Sequence, residues 1–461
     1  MPLILPGNVA SATASTTFSV ANSCRFNDGD SPSLTKTATS FSSATTGTFS
    51  FWIKRGALGA TQYLFANYAS GSSQGLIKFN SDDTLTVNDY DGTDNIQLTT
   101  NRVFRDPSAW MSIVLRIASS ESTEADRARL YINGTQETSF ATETYPTSGE
   151  SLKFFANSAS GDHVVGANQS DASNFDGYLA ECVYCDGQSL GADSFGEFDS
   201  DSPTIFKPID VSGLTFGNNG WYLDFEDSDN LGDDESGNAS DFTSNNLAAT
   251  DQATDTPTNN FAVMNPFAYR YRSGLALPTY SEGNLKTAFT DGTYGTSTMA
   301  TIGVTTGKWY WEAEATGIND TCFVGITKAE YDPNANFAGR SMYYGNAGPF
   351  WAAGGTGGTT QNPYGNTWTT GDIIGVAFDA TNGVIWFSKD GTWQNSATIA
   401  EIGAGTTTNA ATTGITTGQT WMPFGEGTNE TLGFNFGGCP AFTVSSGNAD
   451  ADGYGNFEFA V

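Results

Sequence analysis

Apolar and polar positions alternate with a period of two along much of this chain, and the alternation stops every few residues at glycine, asparagine or aspartate. A strand places successive side chains on opposite faces, so the pattern predicts many short strands joined by tight turns. In TFSFWIKR (48–55), Phe49, Phe51 and Ile53 share one face, and Ser50, Trp52 and Lys54 the other. WMSIVLRIA (110–118) and RLYINGTQ (129–136) follow, the second closing on Asn133-Gly134. That dipeptide suits a two-residue hairpin turn, whose central residues both need positive φ. FDGYLAECVYCDGQSL (175–190) holds a further strand between glycine-bearing turns. Later, Trp309 and Trp311 share a face opposite Tyr310 and Glu312. Ile374, Val376 and Phe378 alternate with Gly375 and Ala377, and residues 384–387 return after Asn382-Gly383.

Helical periodicity is nearly absent, so the expected fold class is all-β: two antiparallel jelly-roll β-sandwich domains joined by an acidic, loop-rich linker. The boundaries read as an anchoring arm over 1–20, a first sandwich over 21–225, the linker over 226–280 and a second sandwich over 281–461. The 461 residues fit that division, because a single core rarely grows past about 250–300 residues.

Charge narrows the partners. Fifty acidic against nineteen basic residues give a net charge of −31. Such a surface repels phosphate backbones, so nucleic acid is not an expected partner. The five cysteines, Cys24, Cys182, Cys185, Cys322 and Cys439, are odd in number and widely spaced, which predicts reduced, buried thiols rather than a disulfide framework. Cys182 and Cys185 form a CxxC, but three residues apart on a strand they face opposite sides, which argues against zinc or redox chemistry. The opening MPLILPGNVASATAS lacks the basic region and long apolar core of an export signal, and no run of about 20 apolar residues exists. Membrane insertion is therefore not expected.

Three stretches resemble known families. The order WMSIVLRIA, RLYINGTQ, FDGYLAECVYCDGQSL resembles the laminin-G-like, concanavalin-A-like lectins, with a Trp-led strand, an Asn-Gly turn and a late F-x-G-x-L-x-E strand. This resemblance covers roughly residues 22–200 and implies a jelly-roll sandwich of a kind that often binds glycans, sometimes through calcium. TGKWYWEAEATG (306–317), CFVGITKA (322–329) and GDIIGVAFDATNGVIWFSKDGTWQ (371–394) resemble the SPRY family. Members of that family are binding modules without catalysis. The acidic stretch beginning GWYLDFEDSDNLG (220–232) resembles a segment of tail and structural proteins of marine tailed phages. Together these imply a structural virion protein made in the host cytoplasm and released by lysis. Its expected role is a tail fibre or host-recognition adhesin, with a capsid-surface head fibre or decoration protein as the alternative. The absence of coiled-coil heptads and of a Gly-X-Y repeat favours a compact knob over a long shaft. Other virion proteins, reached through the N-terminal arm, and a host surface glycan are the implied partners. A homo-oligomer would multiply weak contacts through effective concentration.

The inventory of reactive groups is thin. The single histidine, His163 in SGDHVVGAN, reads as an ordinary strand-edge residue, and no G-x-S-x-G elbow accompanies it. A glycosidase would need paired carboxylates. Glu312 and Glu314 share a strand face but lack an E-x-D-x-(x)-E pattern, and no enzyme is expected. Calcium is the one ion the acidic run from Asp224 to Glu235 suggests. Counted from Asp227, however, the fifth loop position is Leu231, so no cofactor is expected. Candidate ligand-binding residues lie in MYYGNAGPFWAAGGTGGTTQNPYGNTW: Tyr343, Tyr344, Trp351, Tyr364 and Trp368. Aromatic faces pack on sugar rings, and nearby amides can bond hydroxyls. The competing reading places Tyr343, Tyr344 and Trp368, which border strand patterns, in the core. Trp351 and Tyr364 lie farther into the expected loop.

Overall fold

The computed structural model describes residues 18–460 apart from 39, 71, 157–161, 270–275, 291–295, 330–340, 355–357, 451–452 and 454. The chain is all-β and divides into two compact units that meet in sequence at Asn260 and Phe261. Each is a sandwich-like pair of antiparallel sheets.

In the first unit the strands Ala128–Ile132, Met111–Ala118, Thr46–Arg55, Gly177–Asp186 and Ser23–Phe26 lie side by side in one sheet. The facing sheet runs through Phe140–Thr144, Asp94–Val103, Thr84–Tyr90, Ser73–Phe79, Gln62–Ser70, Asp162–Val165, Ser33–Thr37 and Thr243–Asn245. The alternation in TFSFWIKR sets the layers. Phe49, Phe51 and Ile53 enter the core between the sheets with Phe65, Ile77 and Trp221. Trp52, on the other face, joins a second apolar layer with Val114, Val183, Phe206 and Tyr222. That layer covers the outer face of the sheet, so Gly177–Asp186 is buried along its whole length. This explains why its sequence is nearly continuously apolar rather than alternating.

Glu181 interrupts that strand with φ 48°, and the register to Thr46–Arg55 shifts between Ala180 and Val183. The bulge inserts one residue, and the alternation changes phase across it. Leu179 and Cys182 therefore share the inner core, while Ala180 and Cys185 lie in the outer layer. The two thiols of the CxxC face opposite sides, as the strand geometry predicts. All five cysteines are buried and none is in a disulfide. The Asn133-Gly134 turn also forms as predicted, with φ 47° and 75° between the paired Ile132 and Thr135.

The first unit extends past residue 225. Thr243–Asn245 pairs with Ser33–Thr37, and Gln252–Ala253 pairs with Ser23–Phe26. The buried Lys54 ammonium bonds Asp255 Oδ2 at 2.6 Å and Asn260 Oδ1 at 2.8 Å. The acidic stretch expected as linker is thus part of the sandwich as far as Asn260. At the other end Val20 is buried, and its N–H donates to Thr258 Oγ1 at 3.0 Å. The rest of the expected arm, residues 1–17, lies outside the described residues.

In the second unit one sheet runs through Met264–Tyr269, Thr296–Ala300, Trp421–Gly427, Cys322–Lys328, Ser341–Gly345, Pro349–Gly354 and Gly358–Pro363. The other has Lys308–Gly317 between Thr431–Asn435 and Ile373–Asp379, followed by Val384–Lys389. Trp311, Ile374, Val376 and Phe378 meet Val324, Tyr344 and Phe350 in the core, matching the faces read from sequence. The residues around Trp351, expected as a loop, form the paired strands Pro349–Gly354 and Gly358–Pro363 instead. A glycine-rich run was misleading here, because glycine at a strand position removes side chains without preventing ladder pairing.

Candidate functional site

The five aromatic candidates do not converge on one surface. Tyr344 is fully buried, and its hydroxyl donates to the Asn366 carbonyl. Trp368 is 3% exposed and packs 6.2 Å from the Tyr344 ring. Tyr364 lies against Tyr344, Phe350 and Phe387 at 5.6–6.1 Å, and its hydroxyl oxygen accepts the Phe387 N–H at 3.1 Å. Tyr344 and Trp368 belong to the core of the second sandwich, and the half-buried Tyr364 packs against it.

Tyr343 and Trp351 lie on the opposite face of their sheet. Phe424, Gly325, Tyr343 and Trp351 are directly opposite one another across four strands. Strands are about 4.8 Å apart, so Phe424 and Tyr343 stand two strands apart over a residue with no side chain. Their rings close over Gly325 to 6.0 Å, and Trp351 stacks on Tyr343 at 6.3 Å. Tyr343 is 5% exposed and Trp351 half-buried, so only Trp351 offers an accessible ring edge.

The polar groups a hydrolase would need are committed elsewhere. His163 is not at a strand edge: it sits in a strand paired on both sides, opposite Lys36 and Asn67. It is fully buried, and its Nδ1 accepts the Trp221 indole N–H at 3.1 Å. Burial holds the imidazole well below its usual range, hence neutral. Burial likewise pushes the Cys182 and Cys322 thiols far up, and Cys185 to about 12. Glu312 is also fully buried. Its Oε1 accepts from the Tyr310 hydroxyl and the Phe459 N–H, both at 2.9 Å, and its Oε2 from Asn435 Nδ2 at 3.1 Å and the Glu458 N–H at 3.0 Å. It fastens the C-terminal segment, which is a structural duty.

The acidic turn does the same in the first unit. Asp234 accepts from the N–H groups of Tyr222, Ser236 and Ser240 at 2.9–3.1 Å, and Leu231 enters the core. Among the described residues, no cluster of three or more acidic, histidine or cysteine side chains is placed to hold a metal ion.

What sequence reading missed is an open cavity of about 510 Å³ in the first unit. Its wall includes Thr35, Lys36 and Thr37 from the Ser33–Thr37 strand, Asn219 from one turn, Asn238, Ser240 and Asp241 from another, and Thr243 from the Thr243–Asn245 strand. Small-molecule clefts of ~300–1,000 Å³ are usually lined by apolar groups; this one is lined almost wholly by hydroxyl, amide and charged groups. The pattern SLTKT held a signal. Leu34 points into the core, and Lys36, two residues on, must point the same way. An inward lysine is rare without a reason.

The chain is all-β, and a stretch in each of its two units matches a known domain model. The profile of the concanavalin A-like lectin/glucanases superfamily matches residues 27–186. The SPRY domain profile matches residues 308–408. Among solved structures the SPRY domain of human HERC1 is similar at 16% identity, over 39% of this chain and 99% of that one, with a TM-score of 0.28, too low to bear on the fold. No curated protein matches the chain.

Proposed function

We propose that this protein recognises a hydroxyl-rich surface without catalysis, as a host-binding component of a tailed-phage virion. The observation that carries the binding reading is the polar cavity of about 510 Å³ in the lectin-like unit. A cavity that offers hydrogen-bond donors and acceptors and almost no apolar wall suits a glycan better than a peptide, which needs apolar anchors. The lectin-like and SPRY matches support an interaction role for both units. Both sandwiches are read as jelly rolls. A single shallow sugar site binds weakly, so the function calls for several copies on one particle, which effective concentration converts into firm attachment. Residues 1–20 are the proposed tether to other virion proteins.

The virion assignment rests on the resemblance of the acidic stretch and is tested by antibody labelling of intact particles. Label at the tail supports the fibre or adhesin reading. Label over the capsid replaces it with the head-fibre or decoration reading, and unlabelled particles overturn both.

A further inference from the structure

A tight turn at the end of the first unit brings three side chains together. In DTPTNN (255–260), Thr256 and Asn259 exchange backbone hydrogen bonds at 3.1 and 3.0 Å. Asp255 and Asn260 flank that pair and stand side by side at the base of the turn. Lys54 lies 206 positions before Asn260 and reaches both from the central strand Thr46–Arg55. Its Nζ donates to Asp255 Oδ2 at 2.6 Å and to Asn260 Oδ1 at 2.8 Å. Lys54 is fully buried and Asp255 nearly so. The Tyr178 ring, with its centroid 5.8 Å from Nζ, walls the group, and the Trp110 indole N–H holds Asp255 Oδ1 at 2.9 Å. The Asn260 amide is fixed from both ends, because its Nδ2 donates to the Ser108 carbonyl at 2.8 Å. A C=O bond is about 1.2 Å long, so the Asn260 carbonyl carbon lies no more than about 4 Å from Nζ. Burial pushes the Lys54 ammonium below its usual range, which eases the passage of a proton to the carboxylate it touches. A desolvated amine, an amide carbonyl held against it and a carboxylate on the same nitrogen are the parts of an acyl transfer.

We propose that Lys54 and Asn260 become joined by an intramolecular isopeptide bond that the folded chain forms by itself, with Asp255 as the catalytic residue. The ammonium gives a proton to Asp255 Oδ2, and the freed amine attacks Asn260 Cγ. The Nζ–Cγ bond forms and the Cγ–Nδ2 bond breaks, its electron pair leaving with Nδ2. In all, two protons pass from Nζ through Asp255 to Nδ2, so the nitrogen departs as ammonium and the carboxylate is restored. Nothing is oxidised or reduced, and no co-reactant enters. Asn260 is the acceptor rather than Asp255, because the negative charge of a carboxylate repels a nucleophile. Folding makes the step unimolecular by holding the groups in contact. The bond ties the central strand of the sheet to the last residue of the first unit. Tension entering that unit from Phe261 then reaches Lys54 directly and bypasses the chain between. The inference goes beyond the binding role and does not depend on any ligand.

The test is the mass of the purified full chain after incubation at neutral pH, with peptide mapping by tandem mass spectrometry. The wild type is expected one ammonia lighter than its sequence and to yield a branched peptide containing both Lys54 and Asn260. Asn260→Ala removes the acceptor at a half-buried position and should give the full sequence mass with linear peptides only. Asp255→Asn keeps the shape of the side chain and should slow bond formation at least about a hundredfold. The wild-type map decides the proposal whether or not Asp255→Asn folds. Full sequence mass with linear peptides in the wild type would overturn it. So would an ammonia loss lodged in a cyclic imide at Asn260-Phe261 with Lys54 free, a water loss with a link to Asp255, or wild-type bond formation in folded Asp255→Asn.

Discussion

Replacing Lys54 by methionine tests whether the chain beyond residue 225 belongs to the first sandwich. The Lys54 ammonium is fully buried, with Asp255 Oδ2 at 2.6 Å, Asn260 Oδ1 at 2.8 Å and the Tyr178 ring centroid at 5.8 Å. Asp255 also accepts the Trp110 indole N–H through Oδ1 at 2.9 Å. Methionine fills the space of the stem but strips the carboxylate of its counter-charge inside the protein. Breaking one side of a buried pair costs about 3–5 kcal/mol. In a unit of some 250 residues each kcal/mol moves Tm by ~2–4 °C, so the transition of the first unit should fall by roughly 6–20 °C. Calorimetry of the full chain reads the shift, and hydrogen exchange in peptides covering 46–55 and 250–260 assigns it to this unit. The double variant Lys54→Met/Asp255→Asn should recover part of the loss, because no uncompensated charge remains. A Tm change within the error of the scan, or a double variant whose two losses simply add, would refute the clamp and with it the boundary at Asn260.

Three further expectations follow from particular groups. Burial pushes the Glu181 carboxyl up to about 8 from 4.5, with the Tyr222 hydroxyl 2.8 Å away. A raised carboxyl favours folding fully below 4.5 and loses that contribution as pH rises through 8, so Tm of the first unit should decline from pH 5 to 8. Glu181→Gln should flatten the decline, and an unchanged slope would contradict the assignment. Trp351→Ala should lower the stability of the second unit by roughly 1–3 kcal/mol, less than a fully buried ring; denaturant titration checks it, and an unchanged midpoint would contradict the packing of Trp351 on Tyr343. Deleting residues 1–15 should spare Tm but abolish incorporation into particles, and normal incorporation would disprove the tether.

Much of the architecture is legible from sequence, because it follows from period-two alternation and turn chemistry. Phe49, Phe51 and Ile53 lie inward, Asn133-Gly134 turns as its residues require, and Trp311 faces Val376 across neighbouring strands. What stays hidden depends on contacts distant along the chain. The acidic segment reads as linker because its tie, Lys54 to Asp255, spans 201 positions. His163 reads as an edge residue because nothing local indicates that strands pair on both its sides. The ligand site is the least legible part. Aromatic residues signal both core and sugar platforms, and here Tyr344, Tyr364 and Trp368 serve the core. The inward Lys36 is conspicuous only once Leu34 is known to point inward.

The proposed role is to hold a hydroxylated surface and break no bond in it. Saturation-transfer NMR of the full chain with neutral disaccharides, followed over several days in one sample, reads both halves at once. Saturation of sugar protons is expected, with the anomeric spectrum unchanged throughout. New reducing-end signals, or no transfer to any sugar, would contradict it.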